Sequence, residues 1–98
     1  MIAYNDTIFR EILSNVPEKQ KELLYAIAKE GDAKQLLSGE FIKRYSLASS
    51  SSVQAAIRKL LDRDLITETD KIYTVTDKLF AMWINQVYGL NRDSHYFI

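Results

Sequence analysis

Apolar residues recur along this chain in two different periods, and the period changes at Asp64. Before Asp64 they return every three or four positions, which is the spacing of one face of an α-helix. After it they fall in two short runs, at 65–67 and 72–75, that are rich in residues favoured in strands. The pattern therefore predicts helices, then a two-strand hairpin, and a last helix from the aromatic residues that follow.

The first third of the chain predicts two helices. Asn5 or Asp6 can cap the first, and Pro17 suits the first turn of the second, which Gly31 ends. The apolar stripe of the first helix consists of Ile8, Phe9, Ile12, Leu13 and Val16. The buried side of the second consists of Leu23, Leu24, Ile27 and Ala28.

A short strand and a short helix are predicted next. Residues 34–37 fit a small strand, and Ser38 can cap a helix over 39–45. The turn 46–48 then directs Leu47 into the core between two helices.

The fourth predicted helix begins near Ser51, because Ser51 and Gln54 have the spacing of a capping box. Its inner face is Val53, Ala56, Ile57, Leu60 and Leu61. Its outer face is Ser50, Ser51, Gln54, Ala55, Arg58, Lys59 and Asp62. Residues 67–71 form the hairpin tip that follows, and Thr76 or Asp77 caps the last helix. The stripe of that helix, which Gly89 ends, is Leu79, Phe80, Trp83, Ile84 and Val87.

This order of elements predicts a fold that is mainly α with a small β-hairpin. It is the order of a winged helix-turn-helix with an extra N-terminal helix. The expected organisation is an N-terminal helix or linker at 1–16, a winged-helix domain at 17–88 and a C-terminal tail at 89–98. With 98 residues, 47% of them hydrophobic and 27% charged, the chain can build one modest core and is too hydrophobic to be disordered.

The composition also bounds the compartment. No apolar run approaches the ~18 residues of a membrane span, and the first residues lack the pattern of a signal peptide. Cysteine is absent, which excludes disulfides and thiolate metal sites within the chain. We therefore expect a soluble cytoplasmic protein that does not enter a membrane.

Net charge is zero, but its distribution is uneven. Residues 1–37 carry −1, residues 38–63 carry +3 and residues 64–98 carry −2. The positive excess falls on the predicted helix-turn-helix. Candidate contacts to a nucleic acid or to another partner are therefore Lys43, Arg44, Ser50, Ser51, Gln54, Arg58, Lys59 and Arg63.

Each type of residue in this set has a chemical role on duplex DNA. Hydroxyls at the start of a helix leave backbone N–H groups open to phosphate, and Gln54 and Arg58 have the geometry that reads base edges. The four remaining basic residues suit flanking phosphates. The alternative is a solvated helix face with an Arg58–Asp62 surface pair, and an acidic hairpin tip with Glu68 and Asp70 argues for it.

Nothing in the sequence indicates catalysis or a cofactor. The glycines are isolated, so no phosphate-binding loop can form, and His95 is the only histidine. The carboxylates Asp62, Asp64, Glu68 and Asp70 fit a solvated surface better than a catalytic pair or a metal site. Trp83 and Tyr73 lie in apolar stripes and fit the core better than a base-stacking surface. We expect no catalytic, cofactor-binding or metal-binding residue in this chain.

The block from Tyr73 to Ile84, YTVTDKLFAMWI, with Asp64-Leu65-Ile66 before it, resembles one known group. It is similar to the C-terminal winged-helix region of prokaryotic AAA-type P-loop ATPases, the archaeal-ATPase-like group. The resemblance covers about residues 17–88. It implies a separate ATPase domain as a partner, which would hold the ATP and Mg, and it carries no nucleotide-binding residue onto this chain.

Two functions follow as hypotheses. In the first, the chain is a non-catalytic accessory domain that couples a P-loop ATPase to a protein or nucleic-acid partner. In the second, the helix at 51–63 binds duplex DNA directly, including as a stand-alone dimeric transcriptional regulator. The stripe within residues 4–16 would then supply the dimerisation helix.

Overall fold

The computed structural model describes residues 6–89. In chain order its helices are α1 Asp6–Ser14, α2 Glu18–Glu30, α3 Gly39–Arg44, α4 Ser50–Asp62 and α5 Lys78–Ile84, which continues into a π-helix at Asn85–Gly89. Its strands are β1 Ala33–Lys34, β2 Ile66–Thr69 and β3 Ile72–Val75. The predicted fold class, mainly α with a small hairpin, is confirmed. The expectations for Asn5, for His95 and for the tail beyond Gly89 lie outside the described residues.

The three strands form one antiparallel sheet in the order β1-β3-β2. Ala33 pairs with Tyr73 at one edge, and Ile66 pairs with Val75 at the other. Asp70 and Lys71 have φ angles of 52° and 64°, the left-handed pair that a tight two-residue hairpin turn requires. The predicted tip at 67–71 was therefore too long, because β2 stays paired as far as Thr69.

The first strand is displaced from its predicted position. It pairs only at Ala33 and Lys34, because Gln35 has a φ of 53° and turns the chain out of the sheet. Leu36 is buried after this turn, whereas Leu37 is 43% exposed. The prediction of a strand at 34–37 was right in kind and wrong in its boundaries.

Two helix starts also differ from prediction. Pro17 is the N-cap of α2 rather than part of its first turn. The cap of α4 is Ser49, whose Oγ accepts a hydrogen bond from the Ser52 amide at 3.2 Å. Ser49 has an extended backbone, as a capping residue needs, whereas Ser51 already lies inside the helix. The other predicted caps, Ser38 and Asp77, form as expected.

One core joins all the helices to the sheet, and α2 and α4 pack together at its centre. The predicted stripes are largely buried in it, and Leu47 is buried in the turn between α3 and α4 as expected. Two predicted core positions are wrong, since Ile8 is 56% exposed and Leu79 is 44% exposed. Each lies at the edge of its stripe, next to a buried phenylalanine.

Helix α1 packs on α5 through aromatic rings. The ring of Phe9 lies 5.0 Å from that of Phe80 and 5.5 Å from that of Trp83. Trp83 is 2% exposed, which confirms its predicted place in the core. Phe9 and Leu13 are buried within this domain, so most of the stripe once considered for dimerisation already has a partner inside the chain.

Candidate nucleic-acid interface

The outer face of α4 is a continuous polar surface. We define the α4 face as Ser50, Ser51, Gln54, Ala55, Arg58 and Lys59, all of which are exposed. The opposite side of the helix, with Val53, Ala56, Ile57 and Leu60, is buried. This arrangement follows from the helical period of the sequence, because α2 covers one side of α4 and leaves the other to solvent.

Asp62, in the last turn, is the one carboxylate on the exposed side of α4, and the first turn has none. The alternative of a solvated helix face included an ion pair between Asp62 and Arg58. No such ion pair forms, and within residues 6–89 neither Arg58 nor Lys59 is in a salt bridge. Both cations are therefore available to a ligand. Lys43, at the end of α3, is likewise exposed and has no salt bridge in the described part of the chain.

Arg44 is held by two carboxylates of its own chain. Its Nη1 lies 2.9 Å from Glu30 Oε2, and its Nη2 lies 3.4 Å from Glu40 Oε2. The Tyr45 hydroxyl also donates a hydrogen bond to Glu30. This hydrogen bond, with help from Arg44, lowers the pKa of Glu30. Burial is the main cause that raises the pKa of Tyr45 to about 12. The cluster ties α3 to the end of α2.

Arg63 has a structural contact as well. It is the C-cap of α4, and its Nη1 donates a hydrogen bond to the Asn15 carbonyl at 2.8 Å. Of the four basic residues assigned to phosphate, two thus have partners in the protein. The sequence did not reveal the Arg44–Glu30 and Arg63–Asn15 contacts, because these residues are 14 and 48 positions apart along the chain.

The hairpin beside α4 is the wing. Its tip is Asp70-Lys71, and Glu68 lies opposite Tyr73 in the strand pair. Tyr73 is half-buried, which confirms its packing role, and burial is the main cause that raises the pKa of its hydroxyl. Glu68 raises that pKa further. The wing therefore carries two exposed carboxylates, Glu68 and Asp70, against one lysine, Lys71, and has no excess of positive charge for a DNA backbone.

An open groove of about 830 Å³ lies between the wing and residues 34–37, and Ile57 of α4 also lines it. Leu37, Ile57, Ile72 and Tyr73 supply its apolar lining. Sequence reasoning missed this groove. The signal that was present is the pair of adjacent leucines, of which Leu36 is buried and Leu37 is 43% exposed.

A second open groove, of about 360 Å³, lies on the other side of α4, against the first turn of α2. Lys19 and Glu18 line it from α2, and Ser52, Ala55 and Lys59 line it from α4. This groove was not predicted either, because the apolar pattern of α2 indicates only which side of the helix is buried.

Two further properties hold for residues 6–89. No three acidic or histidine side chains lie close enough together to share a metal ion. No helix in this part of the chain has both the length and the hydropathy that crossing a membrane requires.

The arrangement defines a class of protein. A helix, a turn closed by a buried leucine and a second helix with an exposed polar face are followed by a hairpin that pairs with a strand from earlier in the chain. That is a winged helix. A family model described as "Probable winged helix domain" matches residues 7–86, and the chain belongs to this family. No curated protein and no solved structure matches it.

The winged-helix part of the predicted resemblance is therefore confirmed. Its finer part, the group of AAA-type ATPases, receives no support from these comparisons.

Proposed function

We propose that this domain binds duplex DNA through the α4 face. The observation that carries the proposal is a helix face that holds Arg58 and Lys59 without ion-pair partners and lacks any carboxylate before Asp62. Phosphate neutralisation supplies much of the affinity of proteins for DNA, so the local excess of positive charge on this face matters more here than the zero net charge.

The polar and basic side chains of the α4 face each have a role in the proposed complex. Ser50 and Ser51 lie in the first turn, where short side chains let the backbone approach phosphate. Gln54 and Arg58 lie one turn apart, and their side chains match adenine and guanine edges in the major groove. Lys59 and Lys43 fit flanking phosphates. Arg44 and Arg63 belong to the scaffold, since their guanidinium groups already have protein partners.

The test is anisotropy of a labelled mixed-sequence duplex titrated with the full chain from about 50 to about 200 mM salt. We expect binding that weakens steeply with salt and that the double substitution Arg58→Glu and Lys59→Glu abolishes. The matched control reverses the charge of two exposed lysines outside the α4 face, Lys29→Glu with Lys78→Glu. The two double variants therefore have the same net charge. Equal loss in both double variants, or no binding by the wild type at low salt, would refute the proposal.

The single substitution Arg58→Ala distinguishes a hydrogen-bonded contact to a base from an electrostatic contact to phosphate. If Arg58 pairs with a guanine, this change costs about 1–3 kcal/mol on a preferred site and relaxes preference at that position. If it only faces phosphate, all sequences weaken equally.

A second candidate is docking on a protein, such as the P-loop ATPase domain that the sequence resemblance implies. The observation that favours it is the apolar groove beside the acidic wing, where Leu37 is 43% exposed. In this proposal the chain is non-catalytic, and ATP and Mg stay on the ATPase. The test adds the domain to an ATPase of the resembled group that lacks its own C-terminal region. Unchanged hydrolysis, or a change that Leu37→Asp leaves intact, would refute it.

A further inference from the structure

The two sides of α4 differ in charge. On the wing side, the groove wall includes the carboxylates of Glu68 and Asp70 as well as Lys34 and Lys71. Asp62 lines the adjoining surface between α4 and the wing. A carboxylate about 4 Å from a phosphate is repelled by about 1 kcal/mol even in bulk water, and by more where water is excluded. With two carboxylates against two lysines, the wing groove has no net positive charge to offer a DNA backbone.

The α2 side has an excess of positive charge. Lys19 lines the smaller groove from α2 and Lys59 lines it from α4, and the only carboxylate among the residues that line it is Glu18. Neither lysine is in a salt bridge within residues 6–89. Lys59 also belongs to the surface formed by Ser51, Gln54 and Arg58, so this groove is continuous with the α4 face.

Resting on the DNA-binding function proposed above, we infer that a phosphate of the bound strand lies in the α2–α4 groove between Lys19 and Lys59. Lys19 is then a positioning residue, outside the recognition helix, that fixes on which side of α4 the backbone runs. The acidic wing remains clear of the duplex. This is a one-sided mode of binding, which leaves the apolar groove at the wing open while DNA is bound.

The experiment compares two substitutions that remove the same charge from two exposed lysines, Lys19→Gln and Lys71→Gln. Each full-length variant is titrated into the same labelled mixed-sequence duplex over the same salt series, after circular dichroism has verified folding. Lys19→Gln should weaken binding several-fold and reduce the slope of log affinity against log salt by about 1. Lys71→Gln should leave both quantities at their wild-type values.

Glu18→Gln provides a second, opposite readout. The Glu18 carboxylate lines the same groove and would repel a phosphate there, so its removal should tighten binding. A gain in affinity cannot be explained by a misfolded variant. A loss with Lys71→Gln equal to that with Lys19→Gln, or Glu18→Gln with unchanged affinity, would overturn the one-sided mode. If Lys19→Gln binds with wild-type affinity while the double variant Arg58→Glu with Lys59→Glu does not bind, the one-sided mode is overturned, but the proposed DNA-binding function still stands. A wild-type chain that binds no duplex at low salt would overturn both.

Discussion

At the scale of single residues, Asp6 shows how much depends on contacts between distant parts of the chain. Its Oδ1 accepts a hydrogen bond from Trp83 Nε1 at 2.8 Å, 77 positions away. Its Oδ2 accepts one from Arg10 Nε at 2.7 Å, and the Arg10 guanidinium lies 5.5 Å from the centre of the Trp83 ring. Asp6, expected as a helix cap, instead satisfies the N–H of a buried indole.

Asp6→Ala should lower the free energy of unfolding by about 1–2 kcal/mol, because a buried donor loses its acceptor. Asp6→Asn keeps an acceptor oxygen and should cost less. The measurement is urea unfolding followed by fluorescence of Trp83, the single tryptophan of the chain. Glu11→Ala, an exposed carboxylate on the same helix, is the control and should have little effect. Equal losses for Asp6→Ala and Glu11→Ala would contradict this role.

Stability should also depend on pH through two carboxylates. Hydrogen bonds from Arg10 and then Trp83 lower the pKa of Asp6, and those from Tyr45 and then Arg44 lower that of Glu30. A folded-state pKa below the unfolded one contributes stability at higher pH that is lost as pH falls through the folded value. We expect the melting temperature to drop below about pH 4, where unfolded carboxylates take up protons. Asp6→Asn with Glu30→Gln should flatten that drop, and parallel curves would argue against it.

These residue roles mark the limit of what the sequence predicts. The burial of Trp83 followed from its position in an apolar stripe. Its partner Asp6 did not, because helical spacing orders residues along one element and says nothing about which element lies opposite. Arg44 and Arg63 were placed among the phosphate contacts for the same reason: their protein partners lie on α2 and in the loop after α1.

At the scale of elements, every predicted helix and the hairpin form within residues 6–89. Two signals made this possible, the change of apolar period at Asp64 and the capping residues at Ser38 and Asp77. Boundaries were less predictable where several residues had the same chemistry. In the run Ser49 to Ser52 each hydroxyl can cap, and backbone conformation alone selects Ser49. The end of β1 depends on the positive φ of Gln35, which its residue type does not indicate.

The choice of cap can be measured. Ser49→Ala should lower the free energy of unfolding by about 1 kcal/mol, since the Ser52 amide loses its acceptor. Ser51→Ala removes a hydroxyl from the same run, inside the helix, and should cost much less because alanine is a good helix former. Chemical denaturation of both variants provides the comparison. The reverse order would place the start of α4 at Ser51, as the capping-box spacing predicted.

At the scale of the whole molecule, the fold divides the surface around α4 into three zones. The α4 face is basic and polar, the groove toward α2 continues that charge, and the groove toward the wing has an apolar lining with equal numbers of acidic and basic residues. The sequence predicted the first zone, because all its residues lie on one helix. It could not predict the grooves, since each is built from elements far apart in the chain.

The three zones lead to one account of the molecule. We propose that DNA contacts the α4 face, that its backbone follows the α2 side, and that the wing side stays free for a protein. DNA binding by this domain is thus compatible with its zero net charge, because affinity depends on the local charge of the α4 face and not on the total.

The most direct test of this account is to titrate the ¹⁵N-labelled full chain with a mixed-sequence duplex at low salt and follow each backbone amide by NMR. The account predicts that the largest shift changes fall on Ser51, Gln54, Arg58 and Lys59 of α4 and on Lys19 of α2. The amides of Leu37, Ile72 and the wing tip should change little. An unchanged spectrum, or changes concentrated on the wing and its groove, would contradict it.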